Sequence, residues 1–193
     1  KNPISENSFM TGKLEPTNSP YAMAKLTAIE LGNSLRLEHG HKVINLMPTN
    51  LYGPNDNYDL NNSHFYPALI KKIYIAKKTN KNDLLIWGSG KAKRELMFVN
   101  DFADSVIYFM RKKIKEPFLN IGTGKNFSIT WYAKFLMRKL KVKLKIRYDK
   151  SKPDGMPKKC LDIKRAKKYG WKPKNNFDTA FQITYEHFLK NNV

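Results

Sequence analysis

Tyr21 and Lys25 lie four residues apart, near the start of a segment with the pattern of a helix. This spacing puts two side chains on one face of a helix, one turn apart. A free phenol is a poor acid or base at neutral pH, but a neighbouring ammonium group and the positive end of a helix both favour the phenolate. The pair therefore has the chemistry of an acid–base catalyst. The spacing alone is common, however, and a buried aromatic beside a solvated lysine explains it more simply.

The segment that would position this pair is predicted as a helix over residues 20–36, with Ser19 as its N-cap and Pro20 in its first turn. Its small and apolar side chains favour a largely buried helix: Ala22, Ala24, Leu26, Ala28 and Leu31. A buried strand over residues 42–47 and a loop over residues 48–58 follow. The end of a buried strand that follows a helix is where an open α/β sheet places its ligands.

The rest of the chain alternates between helical and extended patterns. Helices are predicted over residues 62–78, 100–110 (capped by Asn100 or Asp101), 128–141, 162–169 and 178–189, and strands over residues 83–88, 95–99, 118–121 and 142–148. This alternation with short connections predicts the α/β class. No Gly-x-Gly-x-x-Gly motif follows a strand. The two short turns at residues 88–90 and 122–124 are too small to cradle a pyrophosphate.

Composition and charge limit the class of protein. Of 193 residues, 41% are hydrophobic and 12% aromatic, which fits a globular chain. No apolar run approaches the roughly 18 to 20 residues of a membrane span, so no membrane partner is expected. The net charge of +20 favours anionic ligands. Because the lysines are spread along the chain and no nucleic-acid motif is present, we expect a solvated basic surface and no nucleic-acid partner.

Cys160 is the single cysteine, so no intramolecular disulfide is possible and a cytoplasmic setting is favoured. With no histidine nearby in the sequence to activate it, Cys160 is expected to be a bystander. The chain begins at Lys1 rather than Met, and its first 19 residues read as a loop. We therefore expect it to begin in the middle of a longer protein.

Four segments occur in an order typical of one enzyme family. They are residues 19–25 (SPYAMAK), 48–54 (PTNLYGP), 94–101 (RELMFVND) and 120–124 (NIGTG). Together they resemble the extended short-chain dehydrogenases/reductases. The resemblance implies the C-terminal portion of a Rossmann-type parallel-sheet domain with a smaller α/β substrate-binding domain. The implied division assigns residues 1–58 and 98–124 to the NADP-binding Rossmann domain, and residues 59–97 and 125–193 to the substrate domain.

Within that family the resemblance is strongest to the GDP-L-fucose synthases. It rests on residues 14–17 (LEPT), 47–57 (MPTNLYGPNDN), 62–64 (NSH), 67–70 (PALI), 86–90 (IWGSG) and 152–155 (KPDG). These enzymes are similar in using NADP(H) to epimerise GDP-4-keto-6-deoxy-D-mannose at C3 and C5 and then reduce C4. The resemblance thus implies NADP(H) as cofactor, GDP-4-keto-6-deoxy-D-mannose as substrate, and a cytoplasmic homodimer.

The resemblance also implies roles for individual residues, and no metal site. The catalytic residues would be Tyr21 as proton donor to the C4 oxygen, Lys25 as its activator and as a cofactor ligand, and His64 as an acid–base group in epimerisation that also lies close to the cofactor. Pro48, Thr49, Asn50 and Leu51 would line the nicotinamide. The substrate-binding residues would be Lys72, Trp87, Arg94 and Asp154. Three of these residues have a simpler structural alternative. His64 could be a helix-start histidine satisfied by local hydrogen bonds, Trp87 a core residue and Asp154 a turn-capping residue.

Some expected parts are absent from the sequence. The family's glycine-rich loop, catalytic serine and epimerisation cysteine would all lie upstream of Lys1, and Cys160 does not match that cysteine. We therefore expect the 193-residue chain alone to be inactive. Two alternatives stay open. One is another nucleotide-sugar epimerase or dehydratase of the same family, and the other is a non-catalytic basic binding protein.

Overall fold

The computed structural model describes residues 2–191, which form six α-helices and nine strands. The helices are α1 (Ser19–His39), α2 (Phe65–Lys78), α3 (Val99–Met110), α4 (Ile129–Lys139), α5 (Lys164–Lys168) and α6 (Phe177–Asn191). The strands are β1 (Asn45–Pro48), β2 (Asn50–Tyr52), β3 (Asp83–Trp87), β4 (Lys93–Arg94), β5 (Leu96–Phe98), β6 (Phe118–Ile121), β7 (Phe127–Ser128), β8 (Lys145–Asp149) and β9 (Lys158–Lys159). No helix within the described range is long and apolar enough to cross a membrane.

The strands pair mainly in parallel, as expected when helices connect them. Strand β1 pairs with β6, β2 with β5, and β3 with β8, all in parallel. The short strand β4 lies between β7, which is antiparallel to it, and β9, which is parallel. Parallel pairs separated in sequence by helices confirm the predicted α/β class.

Two apolar clusters hold these elements together. The larger one packs α2, α4 and α6 against β3 and includes Tyr66, Ile70, Tyr132, Leu136 and Phe188. The smaller one lies around β6 and contains Met97, Phe109, Leu119, Ile121, Ala166 and Trp171. Helix α5 thus packs beside β6, although it follows β9 in the chain. The domain boundaries drawn from the sequence stay a prediction.

Helix α1 differs from its prediction in two respects. It begins at Ser19, so Asn18 is the N-cap and Ser19 is the first helical residue. Its buried residues are Ile29 and Gly32, whereas Leu31 and Leu37 are largely exposed. The prediction of a largely buried helix was wrong, because its small and apolar residues do not gather on one core-facing stripe. Gly40, in a left-handed conformation, ends the helix.

Other boundaries also moved. The predicted loop over residues 48–58 contains β2, which pairs with β5. Helix α3 begins at Val99 with Phe98 as its N-cap, so neither Asn100 nor Asp101 caps it. Asp101 is buried instead, and its carboxylate accepts hydrogen bonds from the backbone N–H groups of Lys174 and Asn175. A carboxylate in the first turn of a helix suits the helix dipole as well.

Candidate functional site

One cavity of about 220 Å³ brings together all four residues predicted to bind substrate. Lys72 reaches it from α2, Trp87 from the end of β3, Arg94 from β4, and Asp154 from the loop after β8. The parallel pairing of Trp87 with Asp149 places the start of that loop beside the indole ring. The topology therefore gathers side chains that lie up to 82 positions apart (154 − 72) at one site.

Two ammonium groups lie over the Trp87 ring in this cavity wall. The ring centroid is 5.1 Å from Lys72 Nζ and 5.6 Å from Lys152 Nζ. Both are within range of a cation–π interaction. Lys72 Nζ also donates to the carbonyl oxygen of Leu85 at 3.3 Å, and burial lowers the pKa of this lysine. Trp87 itself is 53% exposed, so it is a surface of the site and not a core residue.

Arg94 holds the loop that carries Asp154. Its Nη1 donates to the carbonyl oxygen of Met156 at 2.6 Å, and its Nη2 donates to that of Asp154 at 3.2 Å. Burial lowers the pKa of Arg94, and the nearby Asp154 partly offsets that effect. Because a guanidinium group carries five N–H donors, Arg94 can hold the loop and still donate to a ligand.

Asp154 is held on its other side by the turn after β3. Its Oδ1 accepts from the backbone N–H of Ser89 at 2.6 Å, and its Oδ2 accepts from the Ser89 hydroxyl at 2.7 Å. These two hydrogen bonds lower the pKa of Asp154. The carboxylate is therefore fixed in its ionised form at the cavity wall.

His64 lies in a second cavity of about 290 Å³ together with Asn50 and Leu51. It is the N-cap residue of α2, but its side chain makes no capping hydrogen bond. The structure therefore gives this helix-start histidine no capping role through its side chain. Asp56 lines the same cavity, and burial raises its pKa, partly offset by the Asn57 N–H and by His64. Phe65 lines both cavities, so they are adjacent.

The segment predicted to line the nicotinamide leaves β1 and enters β2. Pro48 is the last residue of β1 and is exposed, whereas Thr49 is buried. The Thr49 hydroxyl and the Asn50 amide both donate to the carbonyl oxygen of Glu95, at 3.3 and 3.0 Å. Pairing of β2 with β5 fixes this segment beside Arg94 and Glu95.

Glu95 is a structural residue that sequence reasoning missed. It is fully buried, with 0% exposure, and its Oε1 accepts from the backbone N–H groups of Thr123 and Gly124 at 2.6 and 2.8 Å. Its Oε2 accepts from the N–H of Leu161 at 2.7 Å. A Cβ atom on Gly122 would lie 2.3 Å from Oε1, so only glycine fits there. The two glycines of the 120–124 motif, Gly122 and Gly124, were the sequence signal that could have indicated a buried partner at this turn.

Tyr21 and Lys25 lie on an exposed face of α1. Lys25 Nζ is 5.5 Å from the centroid of the Tyr21 ring, and Tyr21 is 64% exposed. The spacing therefore does put both groups together, but neither is among the residues that line the two cavities above. A wide groove of about 840 Å³ connects the next turns of α1 with Met156, in the loop of Asp154.

Cys160 is buried and forms no disulfide. Burial raises the pKa of its thiol, which disfavours the reactive thiolate. Its surroundings are those of a packed side chain. Within residues 2–191, no group of three or more His, Cys, Asp or Glu side chains has the arrangement of a metal site.

Comparison with known proteins supports the order of motifs along the chain. The model of the NAD dependent epimerase/dehydratase family matches residues 1–122, which is more than half of the chain. The chain belongs to this family. Its pocket-lining loop after β1 and its Tyr-x-x-x-Lys helix both fall within the matched region.

Individual members of the family are similar over nearly the whole chain. A probable GDP-L-fucose synthase of Oryza sativa subsp. japonica is 40% identical, covering 98% of this chain and 58% of the relative. A GDP-L-fucose synthase of Sinorhizobium fredii is 41% identical, covering 98% of this chain and 60% of the relative. The structure of a GDP-L-fucose synthetase of Naegleria fowleri bound to NADP superposes with a TM-score of 0.89 at 27% identity, covering 99% of this chain and 62% of that one. This epimerase/dehydratase-family chain therefore spans about 60% of the length of these relatives.

Proposed function

We propose that this chain forms the substrate-binding and acid–base part of an NADPH-dependent enzyme that epimerises GDP-4-keto-6-deoxy-D-mannose at C3 and C5 and reduces its C4 ketone, giving GDP-L-fucose. The observation that carries the proposal is the single cavity lined by Lys72, Trp87, Arg94 and Asp154. The relatives named GDP-L-fucose synthase, at about 40% identity, support the choice of this reaction within the family.

The cavity has the chemistry that a nucleoside diphosphate linked to a sugar requires. Lys72 and Arg94 supply positive charge for the two phosphates, and the guanidinium group can pair with phosphate oxygens through two parallel hydrogen bonds. The half-exposed Trp87 ring offers a flat apolar surface for a base or sugar. The Asp154 carboxylate adds a fixed acceptor for hydroxyl or N–H groups. Anion binding and orientation of the sugar thus come from four different elements.

The cavity of His64 fits the nicotinamide end of the cofactor. Its walls combine apolar side chains (Leu51 and Leu96) with polar ones (Asn50 and His64), as a flat ring carrying a carboxamide requires. Tyr66, which also lines it, is 1% exposed, and its hydroxyl has no hydrogen-bond partner in the described structure. When bound, a nicotinamide cofactor supplies the hydride that reduces the C4 ketone.

The chain's own residues then handle protons. The arrival of hydride at C4 leaves negative charge on the ketone oxygen, and the Tyr21 hydroxyl donates a proton to it. Lys25, one turn away and 5.5 Å from the ring centroid, stabilises the phenolate that remains. His64, whose imidazole can donate or accept a proton, delivers one to the carbanion formed during epimerisation.

Binding of GDP to the 193-residue chain tests the substrate cavity, measured by isothermal titration calorimetry. Arg94→Lys keeps the charge but loses the planar fork, so we expect it to weaken GDP binding about tenfold. Arg111→Lys is the matched control, because Arg111 is exposed at the end of α3 and is not among the residues lining the cavity. Equal affinities of wild type and Arg94→Lys would contradict the assignment of this cavity to the diphosphate.

Product identity tests the reaction. The chain is joined to the part of the Sinorhizobium relative that it does not cover, and the chimaera is supplied with GDP-4-keto-6-deoxy-D-mannose and NADPH. GDP-L-fucose is the expected product. A product reduced at C4 without inversion at C3 and C5, or epimerised without reduction, would instead indicate another nucleotide-sugar enzyme of this family.

The non-catalytic basic binder is the second candidate, favoured by the net charge of +20. Salt-dependent binding to a generic duplex, with no response to GDP, would support it.

We also propose that the protein works as a cytoplasmic homodimer. The exposed apolar side chains of Met23, Leu31 and Leu37 on α1 support a partner at this helix. Sedimentation over a concentration series tests the dimer.

A further inference from the structure

The loop of residues 152–157 is held against the substrate cavity from two sides. On one side, β4 holds it through the Arg94 guanidinium group and through the backbone N–H of Lys93, which donates to the Pro157 carbonyl at 2.8 Å. On the other side, Ser89 donates twice to the carboxylate of Asp154. A loop fixed at both sides presents its side chains in a set arrangement before any ligand binds.

The turn of Gly88 and Ser89 fits the Asp154 carboxylate closely. Gly88 has a φ of +73°, and a Cβ atom there would lie 2.3 Å from Asp154 Oδ1. Glycine at this position therefore serves both the left-handed backbone and the close approach of the carboxylate. Since Ser89 bonds both carboxylate oxygens, it restrains the direction of the Asp154 side chain.

Lys152 is the one cation of this loop that reaches the cavity wall, with its Nζ 5.6 Å from the Trp87 ring centroid. Lys150 belongs to the same connection and is exposed, but no contact of its side chain with Trp87 is among those described in residues 2–191. Lys72 and Lys152 lie over the indole ring of Trp87, and Arg94 lies near the Asp154 carboxylate. Lys91 also lies near Asp154, and Asp149 lies near Lys152. This wall therefore carries four positive and two negative side chains, a net positive charge that suits an anionic ligand.

We propose that Ser89 is a positioning residue that sets the substrate wall through Asp154, and that Lys152 is a further cation that binds the diphosphate of the nucleotide sugar. This inference rests on the proposed function of the cavity and extends it to two residues. Ser89 acts through hydrogen bonds and adds no charge. Lys152 acts by charge at the end of a loop whose position Ser89 and Arg94 restrain.

The test measures binding of GDP and of guanosine to the 193-residue chain by calorimetry, at several salt concentrations. Lys152→Gln should weaken GDP binding about three- to fivefold and lower its salt dependence, while leaving guanosine binding unchanged, because guanosine carries no phosphate. Lys150→Gln is the matched control and should change neither.

Ser89→Ala should weaken GDP binding about three- to tenfold without altering the salt dependence, since no charge is removed. Ser89→Thr, which restores a hydroxyl, should recover most of the affinity. Ser151→Ala is the control in the same connection, because the Ser151 hydroxyl bonds Asp149 and not Asp154. Circular dichroism of each variant verifies that the fold is retained.

The outcomes separate this inference from the proposed function. If wild type binds GDP and Arg94→Lys weakens it, but Lys152→Gln and Ser89→Ala bind as wild type does, the inference is wrong and the cavity assignment stands. If the wild-type chain does not bind GDP, the proposed function of the cavity and the inference on Ser89 and Lys152 fail together. An equal loss of GDP and guanosine binding in Lys152→Gln would also overturn it, because the lysine would then not act on the phosphates.

Discussion

Replacing Glu95 by glutamine tests how the buried carboxylate supports the site. The carboxylate is fully buried and accepts three backbone N–H groups, from Thr123, Gly124 and Leu161, at 2.6 to 2.8 Å. Glutamine has nearly the same shape but offers one acceptor and one donor. In one orientation the amide oxygen keeps the bonds to Thr123 and Gly124, and the NH₂ group faces the N–H of Leu161. In the other orientation the oxygen keeps the bond to Leu161, and the NH₂ group faces the N–H groups of Thr123 and Gly124.

The expected loss follows from these hydrogen bonds. Leaving one buried N–H unpaired costs about 2 to 3 kcal/mol, and exchanging a charged for a neutral acceptor weakens the remaining bonds by about 1 kcal/mol more. We therefore expect Glu95→Gln to lower the free energy of unfolding by about 3 to 4 kcal/mol. For a chain of this length, that corresponds to a fall in Tm of roughly 6 to 16 °C.

Urea denaturation followed by circular dichroism measures this loss. Glu186→Gln is the matched control, since Glu186 is exposed on α6 and its replacement should change stability by less than about 0.5 kcal/mol. Because the Glu95 carbonyl accepts from Thr49 and Asn50, and Arg94 is the preceding residue, GDP affinity of the folded variant should fall as well. A stability loss below about 1 kcal/mol would refute the role assigned to these hydrogen bonds.

Three other changes have expected outcomes. In the chimaera described above, Tyr21→Phe should abolish NADPH oxidation with the keto sugar, because the C4 oxygen would lose its proposed proton donor; retained turnover would remove Tyr21 from the proposed mechanism. Burial lowers the pKa of Lys72, so its ammonium loses the proton at a lower pH than an exposed lysine does, and GDP affinity should fall as pH rises through that value. Lys72→Arg should move this fall in GDP affinity to higher pH. If the ratio of the wild-type to the variant affinity does not vary with pH, the role given to the Lys72 charge is wrong. Ser128→Ala should cost about 1 kcal/mol of stability, because the hydroxyl caps α4 by accepting from the Trp131 N–H at 3.1 Å, whereas Ser128→Thr should keep the cap; equal stability of both variants would contradict it.

The strongly patterned elements could be predicted from the sequence. Helices α2 and α4 and strand β6 lie within three residues of their predicted bounds, since apolar periodicity and the Ser128 cap are local signals. The exposure of α1 could not be predicted from the sequence, because burial depends on which surfaces face each other and not on residue type alone. Strand β2 was missed because its pairing partner β5 lies more than 40 residues away.

By itself, the sequence determined the α/β class and the order of four short motifs, because periodicity and motif order are properties of neighbouring residues. The meeting of Lys72, Trp87, Arg94 and Asp154 in one cavity was decided by the tertiary structure, through the parallel pairing of β3 with β8. The tertiary structure also decided the hydrogen bonds that Glu95 and Ser89 make, because their partners lie 28 to 66 residues away in the chain. Partners so distant come together only when apolar clusters pack their elements, and no local pattern records that packing.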